Sequence, residues 1–200
     1  MNTRDLWSGD FGTEYTKRNR VDWQARVPFW ASVIRRTTGD IRRAPMIMEL
    51  GCNAGWNLRA IREATPYSWL TGCDLNAAAL EEARQQFYVR QASGNDLPFT
   101  TESFDLCFTV GVLIHVPMSD LRATVGELIR CSSRWVLAVE YESKTGDEEE
   151  IPYRGLDLPA LWRRDYGKIY QEQGLTLVEK WDAGPAFDRC TAWLLCRRGR

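Results

Sequence analysis

The sequence of 200 residues lacks the features that mark several large classes of protein. Its 26 lysines and arginines nearly balance 27 aspartates and glutamates, and a net charge of −1 provides no basic surface for nucleic acid. No apolar run is long enough for a transmembrane helix, and the first residues form no apolar signal region. The six cysteines form no Cys-x-x-Cys pair, so we expect reduced thiols in a cytoplasmic protein, with no disulfide and no metal site.

What is present is a regular alternation of short apolar runs and amphipathic segments. Strands are predicted at residues 46–50, 69–74, 87–91, 104–110, 135–139, 175–181 and 191–196. Helices are predicted at residues 21–38, 56–64, 76–86, 119–130 and 157–173, with a solvated loop at residues 144–150. This alternation predicts one α/β domain over residues 1–200, with a doubly wound, mainly parallel sheet that helices cover on both faces.

The first predicted strand ends in a glycine loop that organises the domain, with the spacing Glu49-x-Gly51-x-x-x-Gly55. Glycines let the backbone approach a ligand closely, and Asn53 between them tolerates a left-handed conformation. The spacing differs from the Gly-x-Gly-x-x-Gly of dinucleotide sites, and a carboxylate at Glu49 would repel a pyrophosphate. The same carboxylate suits a cationic group, such as the ammonium of an amino acid.

A second acidic residue, Asp74, closes the next predicted strand, about 20 residues after the glycine loop. A carboxylate at this position accepts hydrogen bonds from the hydroxyl groups of a ribose. An amino-acid ammonium near Glu49 and a ribose near Asp74 together describe S-adenosylmethionine.

With these landmarks the chain resembles the class I S-adenosylmethionine-dependent methyltransferases from about Met46 to Tyr141, although Asn53 replaces the middle glycine of their first motif. The resemblance implies a Rossmann-like seven-stranded sheet whose last two strands form an antiparallel edge hairpin, and S-adenosylmethionine as cofactor. In the superfamily an aspartate after the third strand often binds the adenine amine; here either Ser93 stands at that position or Asp96 acts from a shifted one. The candidate cofactor-binding residues, which follow the strands, are Glu49, Gly51, Asn53, Gly55, Asp74, Leu75, Ser93, Gly94, Thr109 and Gly111.

The candidate catalytic residues lie just after the fourth and fifth strands. His115 is the only histidine of the chain, and an imidazole can take the proton that a methyl acceptor loses. The alternative is a histidine that only shapes the pocket, since many methyl transfers need no more than alignment of the reactants. Glu140 or Tyr141 could serve instead as the base or as a group that holds the acceptor.

The first 20 residues have little apolar content, but Trp7, Phe11 and Tyr15 recur at a spacing of four residues and share one helical face. We interpret this segment as a lid whose aromatic rings pack over the site. The alternative is an N-terminal helix that is docked on the surface.

A more specific resemblance extends over nearly the whole chain, to the methyltransferases associated with pseudaminic acid biosynthesis. The blocks that carry it are residues 7–12, 15–19, 49–51, 111–115, 140–141 and 151–155. It implies a small-molecule methyltransferase in sugar or secondary metabolism. The candidate substrate-binding residues are Tyr15, Arg18, Asn19, Tyr141, Tyr153 and Arg154. Because arginines bind carboxylates and phosphates bidentately, we expect an anionic acceptor.

Two other functions stay open on the sequence alone. One is a nicotinamide-dependent oxidoreductase, against which the glycine spacing and Glu49 both speak. The other is a non-catalytic module that binds S-adenosylmethionine. A nucleic-acid methyltransferase is not expected, because no Asn-Pro-Pro-aromatic or Asp-Pro-Pro-aromatic motif follows the fourth strand.

Overall fold

The computed structural model describes residues 2–39, 43–153 and 160–197. The strands are β1 Met46–Leu50, β2 Trp69–Asp74, β3 Tyr88–Gln91, β4 Phe104–Val110, β5 Ser132–Glu140, β6 Glu149–Glu150, β7 Trp162–Arg163, β8 Leu175–Asp182 and β9 Thr191–Arg197. The α-helices are α1 Thr3–Ser8, α2 Asp10–Arg18, α3 Val27–Thr38, α4 Trp56–Ala64, α5 Leu80–Ala83, α6 Met118–Cys131 and α7 Tyr166–Glu172. Short 3-10 helices lie at Gln24–Arg26, Leu113–His115 and Pro185–Phe187. None of the described helices is long and apolar enough to cross a membrane.

Seven of the strands form one sheet in the order β3-β2-β1-β4-β5-β9-β8. The first five strands of that order are parallel, whereas β9 is antiparallel to both β5 and β8. This is the predicted mainly parallel sheet with an antiparallel edge hairpin, and the fold prediction is confirmed. Strands β6 and β7 pair separately as a short antiparallel ribbon.

The central strands are buried on both faces, which explains why their sequences read as nearly unbroken apolar runs. Successive side chains of a strand point to opposite faces, so Ile47 joins the core on one side of the sheet and Met48 the core on the other. On the first side, Trp30 of α3 packs against Phe108 of β4 with ring centroids 4.4 Å apart. Helices α6 and α7 cover the second side, where Tyr166 is fully buried.

Three local predictions were wrong. The helix expected at residues 76–86 is reduced to α5, because backbone N–H groups on either side of it bond the carbonyl three residues back and form turns instead of α-helix. The first residues of the helix expected at 157–173 lie outside the described residues, and in the described part the helix begins at Tyr166, where Asp165 caps it by accepting from the Lys168 N–H. Strand β7 precedes it where helix was expected, and its partner β6 lies inside the segment expected to be a loop.

Candidate functional site

A cavity of about 390 Å³ lies at the carboxyl ends of β1, β2 and β4, within the size range of small-molecule sites. In the sheet order β1 lies between β2 and β4, so the cavity sits where the strand order reverses. Residues of α1 and α2 also line it and lie over the strand ends, together with residues of several loops. The predicted site residues that line it are Glu49, Gly51, Asn53, Asp74, Leu75, Ser93, Gly94, Gly111, His115, Tyr15, Asn19, Tyr141 and Tyr153.

The glycine loop owes its shape to left-handed backbone at three positions. Gly51 (φ 74°), Asn53 (φ 47°) and Gly55 (φ 81°) all have positive φ values, which glycine and asparagine adopt most easily. A Cβ on Gly51 would lie 2.2 Å from a methyl carbon of Val112, so no larger residue fits there. Gly55 turns the chain into α4 but, unlike the other two, does not line the cavity.

Glu49 is a buried carboxylate on the wall of the cavity. Its side chain is 1% exposed, and its Oε1 accepts a hydrogen bond from Asn57 Nδ2 at 2.7 Å. Its Oε2 is buried without a hydrogen-bond partner among the described residues. Burial raises the pKa of Glu49 to about 8, because the charged form loses its hydration. An unsatisfied buried carboxylate oxygen on a cavity wall fits a cationic ligand such as an ammonium group.

Arg26 is a site residue that the sequence did not reveal. Its Nη1 donates to Asn57 Oδ1 at 2.9 Å and its Nε to the carbonyl of Ala186 at 3.0 Å, and the guanidinium lies over the ring of Phe187. Arg26 lines the cavity, and through Asn57 it is linked to Glu49. A cation and an anion held side by side in this way match the carboxylate and the ammonium of an amino acid. The only hint in the sequence is that Asn57 lies two residues after Gly55, at the end of the glycine loop.

Asp74 lines the same cavity from the neighbouring strand. Its Oδ2 accepts from the Asn53 N–H and its Oδ1 from the Asn76 N–H, both at 2.9 Å. Burial raises the pKa of Asp74, and these backbone hydrogen bonds oppose the rise. Each carboxylate oxygen has a further lone pair, so Asp74 can still accept from hydroxyl groups of a ligand. The two acidic residues that the sequence singles out therefore share one cavity.

The loop after β3 brings Ser93 rather than Asp96 to the site, because Asp96 is exposed and does not line the cavity. Ser93 Oγ donates to Asn95 Oδ1 at 2.8 Å, and Arg4 Nη2 donates to both side chains at 2.8 and 2.7 Å. The N-terminal segment is thus fastened to the loop at which an adenine is expected.

The same segment is held at a second point by Asn76, whose side chain is buried. Asn76 Nδ2 donates to the carbonyls of Trp7 (3.1 Å) and Gly9 (3.0 Å). Gly12 packs closely against the same backbone. A Cβ at this position would lie only 2.0 Å from the Trp7 carbonyl oxygen, so a larger residue would clash. Thr16 of α2 accepts from Asn53 Nδ2 at 3.0 Å, so α2 also contacts the glycine loop.

His115 lies at the end of the 3-10 helix that follows β4. Its Nδ1 is 2.5 Å from the carbonyl oxygen of Ala160, and its ring packs against Trp7 (centroids 4.4 Å apart) and Tyr153 (5.1 Å). Burial lowers the pKa of His115 to about 4, so the imidazole is neutral at physiological pH.

Four predicted site residues do not line the cavity wall. Thr109 is buried within β4, and Arg18 lies over the rings of Phe11 and Tyr15. Both carboxylate oxygens of Glu140 accept backbone N–H groups of the 3-10 helix, which corrects the expectation that it acts on the acceptor. The fourth is Gly55, described above. A fifth candidate, Arg154, lies outside the described residues.

Comparison with known proteins agrees with this geometry. Residues 47–133 match the methyltransferase domain family. No curated protein matches the chain significantly. The magnesium protoporphyrin IX methyltransferase from Synechocystis PCC 6803, with bound SAH (S-adenosylhomocysteine), is similar with a TM-score of 0.71 and 16% identity over 97% of both chains.

Two further solved structures are similar at the level of the fold. The sugar N-methyltransferase from Streptoalloteichus sp ATCC 53650 has a TM-score of 0.68 and 16% identity, with 96% of this chain and 94% of that chain covered. The 1,6-didemethyltoxoflavin-N1-methyltransferase from Burkholderia thailandensis has a TM-score of 0.69 and 12% identity, with 88% and 80% covered. Residues 47–133 thus match a methyltransferase domain, and the fold is the predicted one, in agreement with the predicted enzyme class and cofactor.

Proposed function

We propose that this protein methylates an oxygen or nitrogen atom of a small metabolite, with Glu49, Arg26 and Asp74 holding the methyl donor. The observation that carries the proposal is the unpartnered Oε2 of Glu49, buried on the wall of a cavity that Asp74 shares. Bound S-adenosylmethionine would supply a methyl group activated by its sulfonium charge. The protein's own task is then to bind, to orient and to exclude water.

Each end of the donor has a matching group. The Oε2 of Glu49 would accept from the ammonium, and Arg26 would donate to the carboxylate. Asp74, which the backbone of the glycine loop already holds, would accept from the ribose hydroxyls. Ser93 and Leu75 line the same cavity and would contact the adenine.

The acceptor would occupy the part of the cavity lined by Tyr15, Tyr141, Tyr153 and His115. The resemblance to methyltransferases of pseudaminic acid biosynthesis supports a sugar or a secondary metabolite. An anionic acceptor has less support, because Arg18 does not line the cavity and its guanidinium lies over aromatic rings.

Residues 1–20 would act as a lid. Described residues of this segment form part of the cavity wall, and hydrogen bonds to side chains of three different loops hold it there. The donor and the acceptor would enter when α1 and α2 move away, and closure would exclude water from the transfer.

Calorimetric titration with S-adenosylhomocysteine tests the proposal. At pH 7 wild-type protein should bind the ligand, whereas Asp74→Asn should weaken binding by ~10- to 100-fold and Glu49→Gln by ~100-fold or more through the loss of a charge-assisted hydrogen bond. Glu172→Gln is the matched control, because this carboxylate is exposed on α7 and, among the residues that the structure describes, its one ion pair is with Arg122 at the surface. Binding of a nicotinamide dinucleotide in place of S-adenosylhomocysteine, or equal affinity in all variants, would refute the assignment.

A further inference from the structure

The turn that carries His115 is held from both sides by buried side chains of opposite charge. Glu140, at the end of β5, accepts from the N–H groups of Val112 (3.2 Å) and Ile114 (3.3 Å). Arg164, which follows β7, donates through Nη1 to the carbonyls of Leu113 (3.2 Å) and Val116 (2.9 Å). The two side chains are 0% and 2% exposed. The N–H groups of the turn thus meet an anion and its carbonyls meet a cation.

Such an arrangement is costly, because two charges are removed from water to hold a single turn. Arg164 is compensated by Glu148, whose carboxylate oxygen lies 2.5 Å from its Nε, yet its Nη2 is buried without a partner among the described residues. A surface turn could satisfy its backbone groups with water at no such cost. The arrangement therefore indicates that the position of this turn matters for function.

The same segment fixes the tautomer of His115. Ala160 precedes β7, and its carbonyl oxygen can only accept, so the short contact with Nδ1 requires the imidazole proton to be on Nδ1. The lone pair is then on Nε2, which makes no hydrogen bond within the described residues, and the ring lines the cavity. A neutral histidine with a free Nε2 lone pair is a proton acceptor.

We propose that His115 Nε2 accepts the proton of a hydroxyl group on the methyl acceptor, and that Glu140 and Arg164 are the positioning residues that aim it. This inference rests on the proposed methyltransferase function and narrows its substrate class to alcohols or phenols. In the step, the hydroxyl oxygen forms a bond to the methyl carbon, and the carbon–sulfur bond breaks with its electron pair going to sulfur. The hydroxyl proton moves to Nε2 and is passed to water after the product leaves.

The acidity of the groups favours a hydroxyl over an amine. With a pKa of about 4, the imidazole is too weak a base to deprotonate an alkylammonium, whose pKa is near ~10. An oxygen that is gaining a methyl group becomes strongly acidic as the new bond forms, so a weak base at the right place suffices. The titratable or charged groups on the elements around the turn are Glu140, Arg164 with its partner Glu148, Tyr153, Arg4 on α1, Tyr15 on α2 and Asp120 on α6.

The first test needs no acceptor, because His115 is the only histidine and its NMR signals are unambiguous in tag-free protein. We expect the wild-type imidazole to carry its proton on Nδ1 and to titrate well below its ordinary pKa. Arg164→Gln and Glu140→Gln should release the turn, mix the tautomers and move the pKa by about one unit or more toward 6.5. Arg164→Lys, which keeps the charge, should retain most of the wild-type behaviour. Arg163→Gln is the matched control and should leave the tautomer and the pKa of His115 unchanged. The Arg163 side chain is partly exposed, and its ion pair with Glu149 is long, at 4.0 Å. A wild-type proton on Nε2, or an ordinary pKa, overturns the proposal.

The second test uses donor labelled with carbon-13 in its methyl group and an extract of small metabolites. The chemical shift of the labelled product should be that of a methoxy group, and His115→Gln should lower the rate by ~10²- to 10⁴-fold. The affinity of His115→Gln for S-adenosylhomocysteine should stay within about twofold, because the imidazole is not expected to touch the donor. An N-methyl product, or an undiminished rate in His115→Gln, contradicts the inference. Absence of S-adenosylhomocysteine binding by the wild type would instead refute the underlying function.

Discussion

Binding of the methyl donor should release a proton from Glu49. Without a ligand the pKa of this buried carboxyl is about 8, so at pH 7 roughly 90% of the molecules carry the proton. An ammonium group beside Oε2 stabilises the charged form and should return the pKa to 4.5 or below. A change of ~3.5 units corresponds to ~5 kcal/mol of coupling between ionisation and binding. The affinity should accordingly rise about tenfold for each pH unit between 4.5 and 8.

The raised pKa of Glu49 also makes the stability of the fold depend on pH. Because the pKa is raised, the folded protein binds this proton between pH 4.5 and 8 whereas the unfolded chain does not. The stability associated with Glu49 is therefore complete below pH 4.5 and is lost as the pH rises through 8. Glu49→Gln should remove this loss, so at pH 8 the empty variant should unfold at a higher temperature than the empty wild type.

Calorimetry in two buffers with different ionisation enthalpies measures the proton directly. At pH 6.5 the amine of S-adenosylhomocysteine is itself protonated, so proton release reports on the protein. We expect nearly one proton for the wild type and close to zero for Glu49→Gln. A wild-type value of zero, or the same value in both proteins, would refute the assignment of the ammonium to Glu49.

Three further predictions concern the lid and the helices. Gly12→Ala should lower the free energy of unfolding by ~1–3 kcal/mol and weaken S-adenosylhomocysteine binding, because its Cβ would overlap the Trp7 carbonyl. Chemical denaturation measures the first effect and calorimetry the second, and unchanged values would contradict this packing. Gly126→Ala, in the middle of α6, should instead raise the free energy of unfolding by ~0.5–1 kcal/mol, because its Cβ would make only an ordinary 3.4 Å contact with the side chain of Gln173. Asn76→Ala should accelerate amide exchange and proteolysis within residues 3–18, because the lid loses its hydrogen bonds to this side chain. Protection equal to that of the wild type would show that other contacts hold the lid.

The sheet and the cavity that Glu49 and Asp74 share were predictable because they depend on patterns that are local in the sequence. An apolar run followed by glycines marks the end of a central strand, and Glu49 and Asp74 belong to such ends. Parallel strands bring these ends to one edge whatever the details of the fold, so the shared cavity follows from the rule alone. Even Asn53, which departs from the usual glycine, has the left-handed backbone expected there.

The residues that the sequence did not reveal act through contacts between distant segments. Arg26 lies in no motif, and only its contact with Asn57 brings it to the site. The segment around Arg164 was expected to be helical, but pairing of β7 with β6 overrides that local preference. The hydrogen bonds of Arg164 to the turn that carries His115 depend on this pairing, so they could not be predicted without the tertiary structure.

Glu49 and Glu140 show why a raised pKa alone does not identify a functional carboxylate. Burial raises the pKa of Glu49 to about 8 and that of Glu140 to about 7, and both lie at the carboxyl ends of central strands. The difference is in their remaining hydrogen-bonding capacity: both oxygens of Glu140 accept backbone N–H groups, whereas one oxygen of Glu49 has no partner and its side chain lines the cavity. Because Glu140 does not line the cavity and both its oxygens are occupied, it holds its own surroundings in place, whereas the unsatisfied oxygen of Glu49 on the cavity wall can accept from a ligand. Replacement of Glu49 should therefore change donor affinity, and replacement of Glu140 should change the titration of His115 while donor affinity is kept.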